Sequence, residues 1–218
     1  FGEMILKGSN SGLAWGLSQI IDAYNGIIEL LPTKNKGRVK VLHGSAANLN
    51  LPDSCVDVVC MDPPYYNNVQ YAELSDFFYV WQKRTLDDQY PKLFNRRYTN
   101  KQDEAVANPV RDGSSSKANM AYESLMKEIF TECKRVLRSE GIMTVMFTHK
   151  SQDAWQTLTQ ALIESGWTIT STFPVDSEFE HSVHQKDMAA AASSIFIACR
   201  PRQENQQTAV WAGFGGTG

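Results

Sequence analysis

A tetrapeptide of one acid, two prolines and a tyrosine, Asp62, Pro63, Pro64 and Tyr65, stands directly after a short apolar run, Val56–Met61. Two successive prolines fix φ and donate no N–H, so their carbonyls are held in set directions with no local donor competing for them. The Asp62 carboxylate only accepts hydrogen bonds. The flat ring of Tyr65 lies beside them. Such a cluster of acceptors suits an exocyclic amino group on a planar base. The nitrogen of that amine is a poor nucleophile because its lone pair is delocalised into the ring. Hydrogen bonds from its two N–H groups to Asp62 and to the Pro63 carbonyl favour a pyramidal nitrogen and free the lone pair. The same acceptors stabilise the positive charge that develops on nitrogen during methyl transfer. Tyr65 can stack on the base, a contact worth about 1–3 kcal/mol. A base inside a duplex is out of reach, so the target must be flipped out or already single-stranded. An acid-Pro-Pro sequence also serves as a plain strand-ending turn, and its setting decides how much weight it carries.

The setting is an α/β pattern. In open α/β sheets, ligands bind outside the carboxyl ends of the strands, which is where Asp62 stands. Val56–Met61 has little polar alternation and is expected to be a central strand covered on both faces. Ahead of it the spacing predicts a helix over 11–31 stopped by Pro32, a turn at 35–37, and a short strand in "RVKVLHG". After it come an aromatic helix over 71–84 and a stretch, 85–117, with no sustained period. The clearest helix is predicted over 119–138, with Tyr122, Leu125, Met126, Ile129, Phe130, Cys133, Val136 and Leu137 on one face and Gly141 as its left-handed cap. "IMTVMFTH" reads as a buried strand. Ser151 caps a helix running to Glu164, and Gly166 closes it. "WTITSTFPV" and "SSIFIACR" read as an antiparallel pair. Together these predict an open, mostly parallel sheet with an antiparallel C-terminal edge hairpin.

Composition narrows the partners. The 218 residues are 42% hydrophobic and 21% charged, enough for one sizeable core. A net charge of −3 supplies no global field for nucleic acid, so any such contact needs a local basic patch. No apolar run is long enough for a bilayer span, and no membrane partner is expected. Cys55, Cys60, Cys133 and Cys199 form no C-x-x-C pair; they read as reduced thiols of a cytoplasmic protein without a zinc site.

"LPDSCVDVVCMDPPYYNNVQYAELSDFFYVWQKR" resembles the amino-group DNA methyltransferases that use S-adenosylmethionine. Within them it looks most like the adenine-specific DNA methylase family associated with a zinc ribbon. "CKRVLRSEGIMTVMFTH" is similar to the helix-turn-strand that follows the catalytic loop, and "AAAASSIFIACRPR" to the final strand. The similarity covers about residues 38–202. It implies a sheet of the class I methyltransferase, Rossmann-like type, S-adenosylmethionine as methyl donor, and Asp62, Pro63, Pro64 and Tyr65 as the target-amino loop. Residues 1–202 are then the catalytic domain, with 85–117 as a target-recognition insert and 203–218 as a tail or linker.

The family's glycine-rich cofactor loop is missing from its expected place; "FGEMILKGSNSG" has Gly2, Gly8 and Gly12 but no leading apolar strand. Gly44, Ser45 and Ala46 are the cofactor candidates, where the family usually offers an acid near the adenine. Truncation upstream of Phe1 is expected; the alternative is a circular permutation with "VWAGFGGTG" as the loop. A missing N-terminal segment or partner subunits would complete the site. Adenine in DNA is the expected target. RNA, cytosine, or a non-catalytic nucleic-acid-binding subunit are the alternatives.

Around the motif, Tyr66 and Tyr71 are expected to line the base pocket. Asn67 and Asn68 either reach the base or its sugar-phosphate or are turn residues. Arg96 and Arg97, with Lys83, Arg84, Lys92 and Lys101 and the aromatics Tyr90, Phe94 and Tyr98, read either as a strand-binding channel or as a solvated loop. Phe77, Phe78 and Trp81 are expected in the core. His149 reads as a surface histidine, with a pocket role as the alternative. His181 and His184, near Glu178 and Glu180, lack further ligands of structural-site spacing, and no metal is expected there.

Overall fold

The computed structural model describes residues 12–31, 37–175 and 194–203. Pro32, the glycines at 2 and 8, His181, His184 and the glycine-rich terminus, each singled out above, lie outside these. The chain divides into two compact units, Phe1–His43 and Gly44–Gly218.

In the first unit, helix α1 spans Leu13–Leu30, as its spacing predicts. Gly12, at φ 90, enters it without a side-chain cap, and Leu31 leaves it in extended backbone. None of its residues is buried. The strand expected in "RVKVLHG" is not formed: 37–43 carry no regular structure and belong to none of the sheet's ladders. A β-rich composition makes a strand only where a neighbour supplies the hydrogen bonds.

The second unit holds β1 (Val56–Met61), α2 (Tyr71–Leu86), α3 (Pro109–Asp112), α4 (Ser115–Val136), β2 (Leu137–Phe147), α5 (Gln152–Glu164), β3 (Trp167–Val175) and β4 (Ser194–Pro201). The four strands form one sheet in the order β1-β2-β4-β3. β1 and β2 are parallel, whereas β4 runs antiparallel to both of its neighbours. Three strands therefore point one way and one is reversed, an open mixed α/β sheet. The expected antiparallel C-terminal pair is present, with β4 as its interior member and β3 at the edge.

The core follows from helical and strand periods. Tyr122, Met126, Phe130 and Cys133 of α4 and Ala154, Leu158, Ala161 and Leu162 of α5 cover the face of β2 that carries Met143, Val145 and Phe147. Trp167 is buried among them, and its indole N–H donates to Phe130 O at 3.0 Å. Burial holds the thiol of Cys133 up at about 11 and that of Cys199 up at about 12, so both stay protonated at neutral pH.

Three sequence expectations change. β1 is not covered on both faces: Val59 and Met61 pack on the core, while Val58 is 53% exposed and Cys60 is exposed. Among the described strands only β2 flanks it, and the core formed by α4 and α5 reaches its Val59 and Met61 side. The face of α2 carrying Leu74, Phe77, Phe78 and Trp81 is also open, with Phe77 66% and Trp81 58% exposed. That helix turns Ala72, Asp76, Tyr79 and Lys83 to the loop that follows it: Thr99 donates to Ala72 O and Asp76, while Tyr79 and Lys83 donate to Arg96 O. Helical spacing identifies a face, but it does not say which face finds a partner.

Gly141, finally, is not a helix cap. α4 begins earlier than its apolar pattern, because Ser114 Oγ accepts from Lys117 N–H at 3.2 Å. It ends at Val136 with Leu137 already extended. The chain passes straight into β2 with a bulge: Val56 pairs with Leu137, but Val58 already pairs with Ile142. Gly141 sits in that bulge, and a Cβ there would lie 2.5 Å from Leu137 Cγ and 2.9 Å from Arg138 O. The second contact is with backbone and cannot relax by a rotamer change. Gly141→Ala should cost about 1–3 kcal/mol of stability, read from the urea midpoint.

Candidate active site

Because β1 and β2 are parallel, with Met61 opposite Val145, their carboxyl ends lie on one edge of the sheet. Asp62 follows β1 there, and His149 follows β2. The acidic loop and the histidine are distant in sequence and side by side in space: Asn67 and His149 are separated by 82 positions, yet His149 Nε2 is 3.1 Å from Asn67 Oδ1.

Asp62 is exposed and, among the described residues, forms no ion pair. One carboxylate oxygen accepts the Tyr65 hydroxyl at 2.6 Å. The other has no hydrogen bond among the described residues. The two proline carbonyls divide their roles. Pro64 O accepts from Tyr66 N–H at 3.0 Å and from the Tyr122 hydroxyl at 3.1 Å. Pro63 O has no donor among the described residues. An acceptor pair, Asp62 and Pro63 O, is thus left unfilled, while Pro64 fastens the loop to α4.

Tyr65 sets its ring edge on Phe147 with centroids 5.6 Å apart. Burial first, and then the adjoining Asp62 carboxylate, push its phenol well above the ordinary range, so it remains a hydrogen-bond donor. Tyr71 also feels the Asp62 charge, after burial, and its phenol is raised as well. It stands 44% exposed at the start of α2.

Tyr66 is buried under the loop, not on its surface. It adopts φ 57, a left-handed conformation unusual for a bulky residue. Such strain, of roughly 1–3 kcal/mol, persists only where the surroundings over-determine it. Here Ala107 N–H donates to Tyr66 O at 2.9 Å, and the ring meets the edges of Tyr122 and His149 at 5.2 and 5.5 Å. Asn67 and Asn68 are exposed, and Asn68 N–H closes a turn on Tyr65 O at 3.1 Å.

Residues 85–117 are not a structureless insert. The Arg111 guanidinium donates to the carbonyls of Lys101, Glu104 and Val106 and pairs with Asp112 at 2.9 Å. Asp76 accepts from Lys101 and Thr99, which hold its carboxyl below the usual range. Glu104 accepts Ala72 N–H at the start of α2. The segment braces both the acidic loop, through Ala107, and α2.

Gly44, Ser45 and Ala46 form an exposed turn in which Ser45 Oγ accepts from Ala47 N–H at 3.2 Å. The following loop is tied to α4 by Glu132, which accepts Leu49 N–H, and by Arg135, which pairs with Glu132 and Asp53. The guanidinium and that N–H hold the Glu132 carboxyl down at about 2. Arg96 and Arg97 form no ion pair among the described residues; the Arg97 guanidinium lies over the Tyr98 ring at 5.2 Å. No contact in the described residues brings either arginine to Asp62. A cavity of about 160 Å³ lies at the opposite edge of the sheet, lined by Ser139, Glu140, Thr170, Arg200 and others, away from the acidic loop.

His149, which the sequence leaves as a surface histidine, and Tyr122, which it assigns to the core alone, both support this site. The signal for His149 was its place just past a strand parallel to β1. Its Nδ1 accepts Ser151 N–H at 3.0 Å, and its carbonyl accepts the Trp155 indole N–H at 2.8 Å. Burial, with a smaller push from Lys150, lowers its pKa from the ordinary 6.5.

No protein-family profile and no curated protein matches this sequence. Solved structures resemble it in backbone course. One is a Thermus thermophilus protein assigned as a DNA modification methylase, with 10% identity over 76% of this chain and 53% of that one, TM-score 0.41. Another is the cytosine-N4-specific PvuII DNA methyltransferase, with 11% identity over 72% and 47%, TM-score 0.41. A third is an S-adenosylmethionine-dependent methyltransferase from Methanosarcina mazei, with 10% identity over 82% and 76%, TM-score 0.40. The chain spans about half the length of the first two.

Two outcomes follow from this geometry. Tyr122→Phe removes one donor from Pro64 O and should lower stability by about 0.5–1.5 kcal/mol in urea denaturation. His149 is neutral in the fold, with its pKa depressed, so its stabilising contribution is complete above 6.5 and declines as the pH falls below it. The difference between the urea midpoints of the wild type and His149→Gln should therefore narrow as the pH falls below 6.5.

Proposed function

We propose that this chain is the catalytic part of a methyltransferase that moves a methyl group from S-adenosylmethionine to the exocyclic amino group of a nucleobase, adenine in DNA being the favoured target. The observation that carries this reading is the unfilled acceptor pair at the sheet edge. Among the described residues one Asp62 oxygen and Pro63 O are free, held by a proline-stiffened loop that Tyr122, Tyr66 and Ala107 fasten to the body of the protein.

The two N–H groups of the amine donate to Asp62 and Pro63 O. This draws the nitrogen toward a pyramidal shape and points its lone pair away from the loop. Positive charge then grows on nitrogen beside a carboxylate whose orientation is already set by the Tyr65 hydroxyl, so little reorganisation accompanies the reaction. No strong base is needed, because the nitrogen becomes acidic once it is cationic and its proton then leaves. Tyr65 and the exposed Tyr71 offer ring surfaces for the extrahelical base.

S-adenosylmethionine supplies an electrophilic methyl group on a sulfonium. Of the residues described, the Ser45 hydroxyl, which accepts from Ala47 N–H and still has its proton to donate, is the group offered to its adenine end, while Gly44 stands in open space and forms no cradle. The described residues do not fit its ribose and methionine ends with any comparable group. The resemblance of 38–202 to amino-group DNA methylases supports the reading from sequence.

Asp62→Ala should lower methyl transfer by at least about 10²–10³-fold while affinity for S-adenosylmethionine, measured by calorimetry, stays nearly unchanged. Transfer of a tritiated methyl group is to be compared on DNA, RNA and cytosine-only oligonucleotides. Equal rates in Asp62→Ala and wild type would refute the assigned role, and transfer to RNA or cytosine alone would move the substrate.

A further inference from the structure

His149 is gripped from several sides, and the donors and acceptors around it leave one arrangement. A backbone N–H can only donate, so the 3.0 Å contact from Ser151 N makes Nδ1 the acceptor. The neutral ring then carries its proton on Nε2. That N–H faces Asn67 Oδ1 at 3.1 Å, and a carbonyl oxygen can only accept. Turning the imidazole over would set ring carbons against Ser151 N–H and Asn67 Oδ1 and lose both hydrogen bonds, while Tyr66 at 5.5 Å and Phe147 at 6.4 Å hold the plane of the ring. The Asn67 amide is therefore oriented too, with its NH2 group facing away from His149. Asn67 is exposed, and its NH2 has no acceptor among the described residues.

The free acceptors of the loop belong to the same cluster. Asp62 is bonded to Tyr65, whose ring meets Phe147, which stacks along His149. The edge thus presents acceptors at Asp62 and Pro63 O and a fixed donor at Asn67. Adenine and cytosine present the complement, an amino group beside a ring nitrogen acceptor, N1 or N3.

We propose that His149 is a positioning residue for Asn67: by donating to Oδ1 it turns the carboxamide NH2 outward to the ring nitrogen next to the target amine. The inference rests on the amine-binding reading of Asp62 and Pro63 given above. It assigns base recognition to Asn67 and gives His149 no contact with the base.

The test compares binding of two single-stranded oligonucleotides of thymines with one central adenine or one 1-deazaadenine, which lacks N1. Wild type should bind the deaza strand about two- to tenfold more weakly, the worth of one hydrogen bond. In Asn67→Asp, which keeps the contact with His149 but has no NH2, that ratio should fall to one. His149→Phe keeps the ring packing and should also lose the ratio. His149→Gln, with a donor and an acceptor on one amide, should restore part of it. Damage to the fold alone would weaken both strands equally and leave the ratio unmoved. Nitrogen NMR of the imidazole should show the Nε2–H tautomer. Equal binding of the two strands by wild type, a ratio unchanged in His149→Phe, or an Nδ1–H tautomer would overturn the proposal. An intact ratio without methyl transfer to the adenine strand would instead overturn the chemistry and keep the base contact. Binding of neither strand would overturn both.

Discussion

The parallel ladder between β1 and β2 is the constraint on which the site depends. It pairs Val59 with Met143 and Met61 with Val145, and so carries two chain segments far apart in sequence to a common edge. Had the strands been antiparallel, Asp62 and His149 would stand at opposite ends of the sheet. The register is set at the other end, where α4 runs without a loop into β2. The bulge at Gly141 takes up the extra residues before regular pairing begins. The core side chains Met143, Val145 and Phe147 then lock that register, since a one-residue slip would turn them to the opposite face.

A second layer of order comes from groups that act on the loop without being free to bind anything themselves. Pro64 O is engaged by Tyr122 and by Tyr66 N–H. Tyr66 is held left-handed by Ala107 and by two ring contacts. Ala107 belongs to a segment organised by Arg111, whose guanidinium gathers three backbone carbonyls. Each of these contacts rigidifies the loop from behind. Among the described residues, one Asp62 oxygen, Pro63 O and the Asn67 NH2 remain unengaged on this stiffened loop. Acceptors fixed in advance stabilise developing charge more than acceptors that must first reorient.

The apolar surfaces divide differently from the polar ones. α4 and α5 bury their stripes against the sheet, whereas α2 keeps Leu74, Phe77, Phe78 and Trp81 in solvent, with the Arg84 guanidinium 5.4 Å above the Trp81 ring. The helix is held by hydrogen bonds from its polar face to the segment after it. Beside these polar contacts, the Tyr79 ring meets Phe94 of that segment at 5.4 Å.

Elements with local signals could be read from the chain alone. The period of α4, the Ser151 cap, Gly166 with φ 82 and the acceptor character of Asp62, Pro63 and Pro64 were all legible, because each depends on neighbouring residues; the antiparallel last pair was legible from the order of elements, two strands with no helical period between them. The cover of β1, the exposed side of α2 and the fate of "RVKVLHG" were not, since each needs a partner the local pattern cannot name. The role of Gly141 was misread for a similar reason: a glycine required by close approach looks the same in sequence as one required by a cap. His149 and Tyr122 joined the site through long-range packing. Hydrogen-bond direction, burial and ring contact depend on where distant segments meet, and the sheet sets those meetings.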